Sequence, residues 1–212
     1  MSIGKFIALE GGEGTGKSTQ SRLLVNALES QGRTVVATRE PGGTEGAEAI
    51  RSLLLSPPGE GWGARAEALL FAAARSDHVK KLIRPALAAG TWIICDRFLD
   101  SSRAYQGGAG GLGDAAIMAL HDAGSEGLRP DLTVLIEVAP EAVSARLTQR
   151  DQGVSDAIGG RAADYHANVA HSFARLAKNE PDLFVTVDGE GPPEEVHLRI
   201  MAALAPILGD TA

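Results

Sequence analysis

Apolar runs of strand length alternate along the chain with segments whose apolar residues recur at helical spacing. Residues 5–10 (KFIALE) predict a first strand, followed by a glycine-rich turn. Residues 17–31 then carry Leu23, Leu24, Ala27 and Leu28 on one face, with Gly32 placed to stop the helix. Further strands are predicted at 34–38 (TVVAT), 92–95 (WIIC), 132–138 (LTVLIEV) and 183–187 (LFVTV). Helical patterns fill 64–89, 114–123, 141–150, 162–178 and 194–204, with Pro85 expected to kink or break the first of these.

Such alternation implies an α/β fold: a mainly parallel five-stranded sheet with helices on both faces. The strands are nearly continuous apolar runs, as expected where both sides are buried. Ligands in such sheets bind beyond the carboxyl ends of the strands. The segments to examine are therefore 11–19, 39–44, 96–106 and 188–189. Residues 107–113 (GGAGGLG) and 152–160 are the candidates for mobile loops. With no internal repeat or low-complexity linker, residues 1–212 are expected to form one domain.

Composition narrows the function. The 212 residues are 44% hydrophobic, enough for a sizeable core, and carry a net charge of −7. That acidity argues against general binding of nucleic-acid backbone. One cysteine, Cys95, excludes an intramolecular disulfide, and no Cys/His spacing suggests a metal cluster. No apolar run reaches the roughly 18 residues of a membrane span, and no signal-peptide stretch opens the chain. A soluble cytoplasmic protein is expected.

The run Gly11, Gly12, Glu13, Gly14, Thr15, Gly16, Lys17, Ser18 matches G-x-x-x-x-G-K-[ST]. Its glycines let successive N–H groups curl around one anion, and the following helix aims its positive end at the same point. Lys17 can then reach the β- and γ-phosphates of a nucleotide. Ser18 can join a Mg²⁺ shell, and Thr19 can bond the α-phosphate. Placed between a predicted strand and a predicted helix, the motif implies a P-loop NTPase fold, without choosing among kinase, GTPase and motor.

Asp96 and Arg97 end the WIIC strand, where a carboxylate can hold Mg²⁺ or its water and a guanidinium fork suits a second phosphate. A GTPase would pair D-x-x-G after a strand with N-K-x-D late in the chain; no N-K-x-D occurs, which lowers the GTPase reading. The turn Arg39–Thr44 (REPGGT) is expected to hold a buried arginine with an acidic partner, a rigid anion clamp; a solvated turn is the plainer alternative. Phe71 and Arg75 stand four apart on a helix, able to stack a base and bond its edge, although Phe71 alone would suit a core equally well.

Together GGEGTGKST, TREPGGT (38–44), LLFAAARSDH and DRFLDSSRAYQGG (96–108) resemble bacterial thymidylate kinases, in family order across most of the first half. The resemblance implies transfer of a phosphoryl group from ATP, with Mg²⁺, to dTMP. It implies that Gly11–Thr19 bind ATP and that Lys17, Asp96 and Arg97 take part in catalysis, with Ser18 and Asp96 toward the metal. On the dTMP side, Arg39 and Arg97 would orient the phosphate and Glu13 would approach the sugar 3′-hydroxyl. Phe71 and Arg75 would read thymine, and Ser101 and Ser102 would lie near its N3 side. Tyr105 would crowd the 2′ position, and Pro41 would border the methyl group.

Two departures stand out. Phe98 occupies the place where many relatives have Tyr or His after Asp-Arg. The family's basic lid, expected at about 146–162, is less regular here: Ala157 stands where an arginine is common. Because the P-loop's variable positions lack arginine, a transition-state cation is expected from Arg150, assisted by Arg146 or Arg161. The resemblance further implies a homodimer through helices in 64–89 and 114–123. Alternatives at this stage are a kinase of another nucleoside monophosphate, or a P-loop ATPase without an acceptor. The five histidines are expected to be surface or satisfied core groups, and Trp92 and Cys95 to be buried strand residues.

Overall fold

A computed structural model describes the backbone of residues 4–151 and 157–209, and the side chains of these except residues 145 and 147–151. Five parallel strands, β1 (Phe6–Glu10), β2 (Val35–Arg39), β3 (Trp92–Asp96), β4 (Leu132–Glu137) and β5 (Phe184–Asp188), form one sheet in the order β2-β3-β1-β4-β5. Alternate residues of each strand point to opposite faces. Ile7, Leu9, Trp92, Ile94, Val134 and Ile136 meet Leu24 and Leu28 of α1 (Lys17–Ser30) and Val196, Ile200 and Leu204 of the C-terminal helix. Phe6, Ala8, Ile93 and Cys95 face the other way, onto the helices that follow β2. Burying one such leucine stabilises the fold by about 1.5–3 kcal/mol.

The remaining helices are α2 (Glu45–Leu55), α3 (Ala64–His78), α4 (Arg84–Ala88), α5 (Leu99–Ser102), α6 (Asp114–Ser125), α7 (Pro140–Asp151), α8 (Ala163–Asn179) and α9 (Pro193–Leu208). Helix α2 was not part of the sequence pattern. Its start is signalled by the Thr44 hydroxyl, which accepts from the Ala47 N–H at 3.4 Å, and by Glu45 and Glu48 in the first turn. Gly42, Gly43 and Gly46 obscure that signal. The break expected at Pro85 is a π-helical turn, Val79–Ile83, immediately before α4, so the chain continues instead of stopping. Pro85 lacks the N–H that an uninterrupted helix would use, and the wider turn absorbs the loss.

A correction applies to 107–113. Residues Arg103–Ala109 are a second π-helical segment, and Gly107 is buried within it, so the first half of that glycine run is packed helix, not loop. Of the other loop candidate, 157–160 form a turn and 152–156 lie outside the described residues. No described helix is long and apolar enough to cross a membrane.

Candidate functional site

Four of the parallel strands end at the segments flagged from sequence, and the ends of β1, β2 and β3 open into one cleft of about 440 Å³. From the β1 loop come Glu13, Gly14, Gly16, Lys17, Ser18 and Thr19; from the end of β2, Arg39, Glu40 and Pro41. Helix α3 contributes Phe71 and Arg75, and the chain beyond β3 contributes Asp96, Arg97, Ser101, Ser102 and Tyr105. Arg146 borders the opposite side. Gly11, Gly12 and Thr15 shape the loop without lining the cleft. Gly14 and Gly16 adopt φ of 71° and 94°, left-handed backbone that lets the loop turn back over the start of α1.

Lys17 is buried, and its Nζ donates to Gly12 O at 2.5 Å and Gly11 O at 3.3 Å. Burial and the like charge of Arg97 lower its pKa to about 8, against the pull of Asp96, Glu13 and Glu10. The Ser18 hydroxyl donates to Asp96 Oδ2 at 2.6 Å. The side-chain oxygens of both residues are hard donors of the kind Mg²⁺ takes, so this pair fits a metal-held triphosphate.

Arg97 adopts φ 69°, a left-handed backbone that costs a non-glycine residue on the order of 1–3 kcal/mol and that clusters at functional sites. Its guanidinium is fixed from several directions. Nη1 donates to Gly11 O at 2.9 Å and Ser101 Oγ at 3.0 Å, Nη2 donates to Glu13 Oε1 at 2.8 Å, and the group sits 5.1 Å above the Tyr105 ring. Surrounding anionic and phenolic groups hold its pKa above the ordinary value despite burial. Burial pushes the Tyr105 phenol up to about 12.

Behind Arg97 lies Glu10, a fully buried carboxylate that the sequence pattern treated as strand. It accepts from the N–H groups of Phe98 and Ser101 and from the Ser101 hydroxyl at 2.6–3.0 Å. Burial pushes its pKa up to about 7, opposed by Arg97 and these bonds. Asp100, equally buried, bonds Arg103 at 3.0 Å and the Thr133 hydroxyl at 3.0 Å. Glu10 carries no motif signal, because its partners come from the chain beyond β3; Asp100 stood inside the quoted run 96–108, but its Thr133 partner lies on a distant strand.

The expectation for the β2 turn needs correcting. Arg39 is exposed, its side chain 56% accessible, and its acidic partner is Glu48 on α2 at 3.0 Å. Glu40 is the buried member of the turn. Its carboxylate accepts from Arg75 Nε at 2.7 Å and faces His78 Nδ1 at 3.0 Å, while His78 Nε2 meets the Thr38 hydroxyl at 2.7 Å. The Glu40 N–H bonds Asp96 O at 3.0 Å, and the alternation of the extended chain turns Glu40 inward and leaves Arg39 to face solvent and cleft. Arg75 is also buried, with Nη2 donating to Phe98 O at 3.1 Å and Ser102 Oγ at 2.8 Å. Ser102 is thus drawn into the Arg75 network and Ser101 into that of Glu10. Pro41 lies on the cleft wall, its carbonyl accepting from Arg51 at 2.7 Å.

Arg146 donates to Gly189 O at 3.1 Å at the cleft edge. Arg161 lies behind the wall, bonded to Glu67 and the Tyr165 hydroxyl, and does not line the cleft. The side chain of Arg150 lies outside the described residues. Sequence reasoning missed Glu40, Arg51, Leu55, Gln106 and Ile158 as lining residues. Glu40 and Gln106 stood inside quoted motifs and could have been flagged there. His78 is a satisfied core group, whereas buried His121 bonds Leu128 O through Nε2 and leaves Nδ1 without a partner; Trp92 and Cys95 are buried strand residues. Trp62, for which the sequence offered no role, donates its indole N–H to Leu53 O at 2.9 Å.

A parallel sheet with a glycine-rich lysine loop at its central strand, and a second arginine-rich wall across the cleft, defines a P-loop nucleotide-binding protein. Residues 9–200 match the family model of thymidylate kinase. A thymidylate kinase of Rhizorhabdus wittichii is 54% identical over 97% of this chain and 99% of its own length. That of Rhodopseudomonas palustris is 48% identical over 95% and 88%. The crystal structure of the Ehrlichia chaffeensis thymidylate kinase superposes with a TM-score of 0.76 at 32% identity, over 95% of this chain and 99% of that one. The chain belongs to the thymidylate kinase family.

Proposed function

We propose that the protein transfers the γ-phosphoryl group of ATP to dTMP, yielding ADP and dTDP, and that the cleft is where it does so. Membership of the family supplies the reaction. The observation that carries the site is the convergence of Lys17, Ser18 and Asp96 with Arg39, Arg97, Phe71 and Arg75 around one cavity.

The P-loop from Gly11 to Thr19 holds the ATP phosphates, with the Lys17 ammonium against the transferred group. Mg²⁺, held through Ser18 and Asp96, would supply charge neutralisation at the phosphates. A phosphate oxygen of dTMP attacks the γ-phosphorus in line while the bond to the β-phosphate bridging oxygen breaks. The attacking dTMP phosphate oxygen is already anionic at neutral pH, so no covalent intermediate or general base is required, and the β-phosphate leaves carrying the charge of the broken bond. Arg97, pinned in place before substrate arrives, and Arg39, free to swing from Glu48, orient the acceptor phosphate. Phe71 stacks on thymine, and Arg75, a pure donor, faces its O4. Ser101, Ser102, Tyr105, Pro41 and Glu13 complete the nucleoside wall. Arg150, with Arg146, supplies positive charge to the transition state from the lid side.

The protein acts as a single domain with a lid at about 146–162, in the cytoplasm, on ATP and dTMP, without nucleic acid or membrane. A homodimer through the outer faces of α3 and α6 is favoured by Leu69, an apolar side chain 56% exposed on α3. Sedimentation at micromolar concentration should show the dimer; monomers alone would overturn it. Formation of dTDP from dTMP and MgATP, identified by chromatography, tests the reaction. ATP hydrolysis unaffected by any monophosphate would contradict it.

A further inference from the structure

The acceptor side of the cleft is gripped from behind by a carboxylate for which the reaction has no direct use. Glu67 stands on the same α3 face as Phe71 and Arg75, at successive spacings of four residues. It is buried, 6% exposed, and does not line the cleft. Its Oε1 accepts from Gln106 Nε2 at 2.9 Å, and its Oε2 accepts from Arg161. Arg161 donates onward to the Tyr165 hydroxyl at 2.5 Å and lies 4.6 Å above the Tyr165 ring. That hydroxyl donates to the carbonyl of Tyr105 at 3.0 Å.

The chain of bonds therefore closes on two neighbours. Tyr105 is held through its carbonyl and Gln106 through its amide, and both side chains line the cleft. The segment carrying them is pressed onto α8: a Cβ on Gly108 would lie 2.0 Å from Ser172 Oγ, so glycine is required for this approach. On its other side Arg161 N–H bonds Ile158 O at 3.2 Å, and Ala157 N–H bonds Leu55 O at 3.3 Å. Ile158 and Leu55 both border the cleft. One ionic contact thus joins three parts of the molecule: α3, the Tyr105–Gln106 wall, and the stretch 157–161 that leads out of the lid.

We infer that Glu67 and Arg161 form a latch that positions the Tyr105–Gln106 wall against the acceptor nucleoside when 157–161 is docked on α2. Glu67 is a positioning residue, and Arg161 acts through it from behind the wall. The inference rests on the reading of this wall as the dTMP side of the cleft. A latch of this kind changes the fit of the monophosphate and leaves the P-loop, on the other side of the cavity, untouched.

Steady-state kinetics of the full chain and of Glu67→Gln, Arg161→Met, their combination and Tyr165→Phe test it, each checked by thermal unfolding. Glu67→Gln and Arg161→Met should each raise KM for dTMP about tenfold, with KM for ATP and kcat within about twofold. The double variant should be no worse than the larger single one, since both remove the same contact. Tyr165→Phe, which keeps the ring and loses one hydroxyl, should raise KM for dTMP about threefold and carries the test if the charge variants do not fold. Unchanged KM for dTMP, or equal rises in both KM values, would overturn the latch. So would a fall in kcat of about 10²-fold in Arg161→Met, the signature of a transition-state cation. A wild-type protein that prefers a different monophosphate would instead overturn the dTMP reading, and the same KM shifts would then be sought with that acceptor.

Discussion

The Ser18 hydroxyl and the Asp96 carboxylate meet at 2.6 Å, although 78 residues separate them. Parallel pairing of β1 with β3, which sets Leu9 opposite Asp96, brings the first turn of α1 beside the end of β3. A hydroxyl and a carboxylate at the mouth of a phosphate-binding loop are suited to a hard divalent cation. Asp96→Asn keeps the size and a hydrogen-bond acceptor but removes the charge. It should lower kcat by about 10²-fold or more while leaving the folded state intact. Stopped assays with Mg²⁺ removed by chelator should show no turnover, and added Mg²⁺ should restore it. Turnover in chelator equal to that in Mg²⁺ would contradict the assignment.

Arg150 is expected to stabilise the charge that develops on the transferred group. Arg150→Ala should reduce kcat by about 10²-fold, with smaller changes in either KM. Single-turnover rates at saturating ATP and dTMP would measure this directly, and a loss below about threefold would reject the role.

Arg75 carries a structural load as well as a proposed base contact. Its partner Glu40 is buried, so removing the guanidinium leaves a carboxylate without its counter-charge. Arg75→Met should therefore destabilise the fold by about 3–5 kcal/mol in urea unfolding, besides raising KM for dTMP. Phe71→Ala should raise KM for dTMP with a much smaller loss of stability. Equal stability of Arg75→Met and wild type would contradict this structural role of the Arg75–Glu40 pair.

His121 gives stability a pH dependence unconnected with catalysis. Its Nε2–H donates to Leu128 O at 2.8 Å, while Nδ1 is buried without a partner. Burial lowers its pKa to about 4, with the positive charge of Arg75 adding to the effect. Below about pH 6.5 the unfolded chain takes up a proton at this residue that the folded protein refuses. The contribution is therefore whole above pH 6.5 and is lost as pH falls toward 4, by up to about 3 kcal/mol. His121→Gln retains a donor toward Leu128 and does not titrate. Its unfolding free energy should fall less between pH 7 and pH 4.5 than that of wild type, and parallel curves would contradict this.

What could be read from the chain was what chemistry places locally. The P-loop is contiguous, and Asp96 and Arg97 follow a strand whose apolar run marks its own end. Phe71 and Arg75 share a helix face that spacing alone reveals. Legibility failed where meaning depends on distant partners. Glu10 reads as the end of a strand until Phe98 and Ser101 fold over it, and Glu67 is unremarkable until Gln106 and Arg161 arrive, 39 and 94 residues away. The pair Arg39 and Glu40 shows the same limit. Both are charged and adjacent, and only strand pairing decides that Glu40 turns inward to Arg75 while Arg39 reaches outward to Glu48. Helix α2 escaped notice because three glycines near its start outweighed a Thr44 cap in the pattern.

The most direct test of the central claim is ADP formation from MgATP with dTMP, dUMP, TMP, dCMP, dGMP, dAMP or no acceptor, with products separated by chromatography. The cleft described here predicts that dTMP dominates and that dTDP accumulates in step with ADP. Preference for a purine or cytosine monophosphate would remove the roles given to Phe71, Arg75 and Ser102, and ADP release independent of every acceptor would leave the P-loop alone standing.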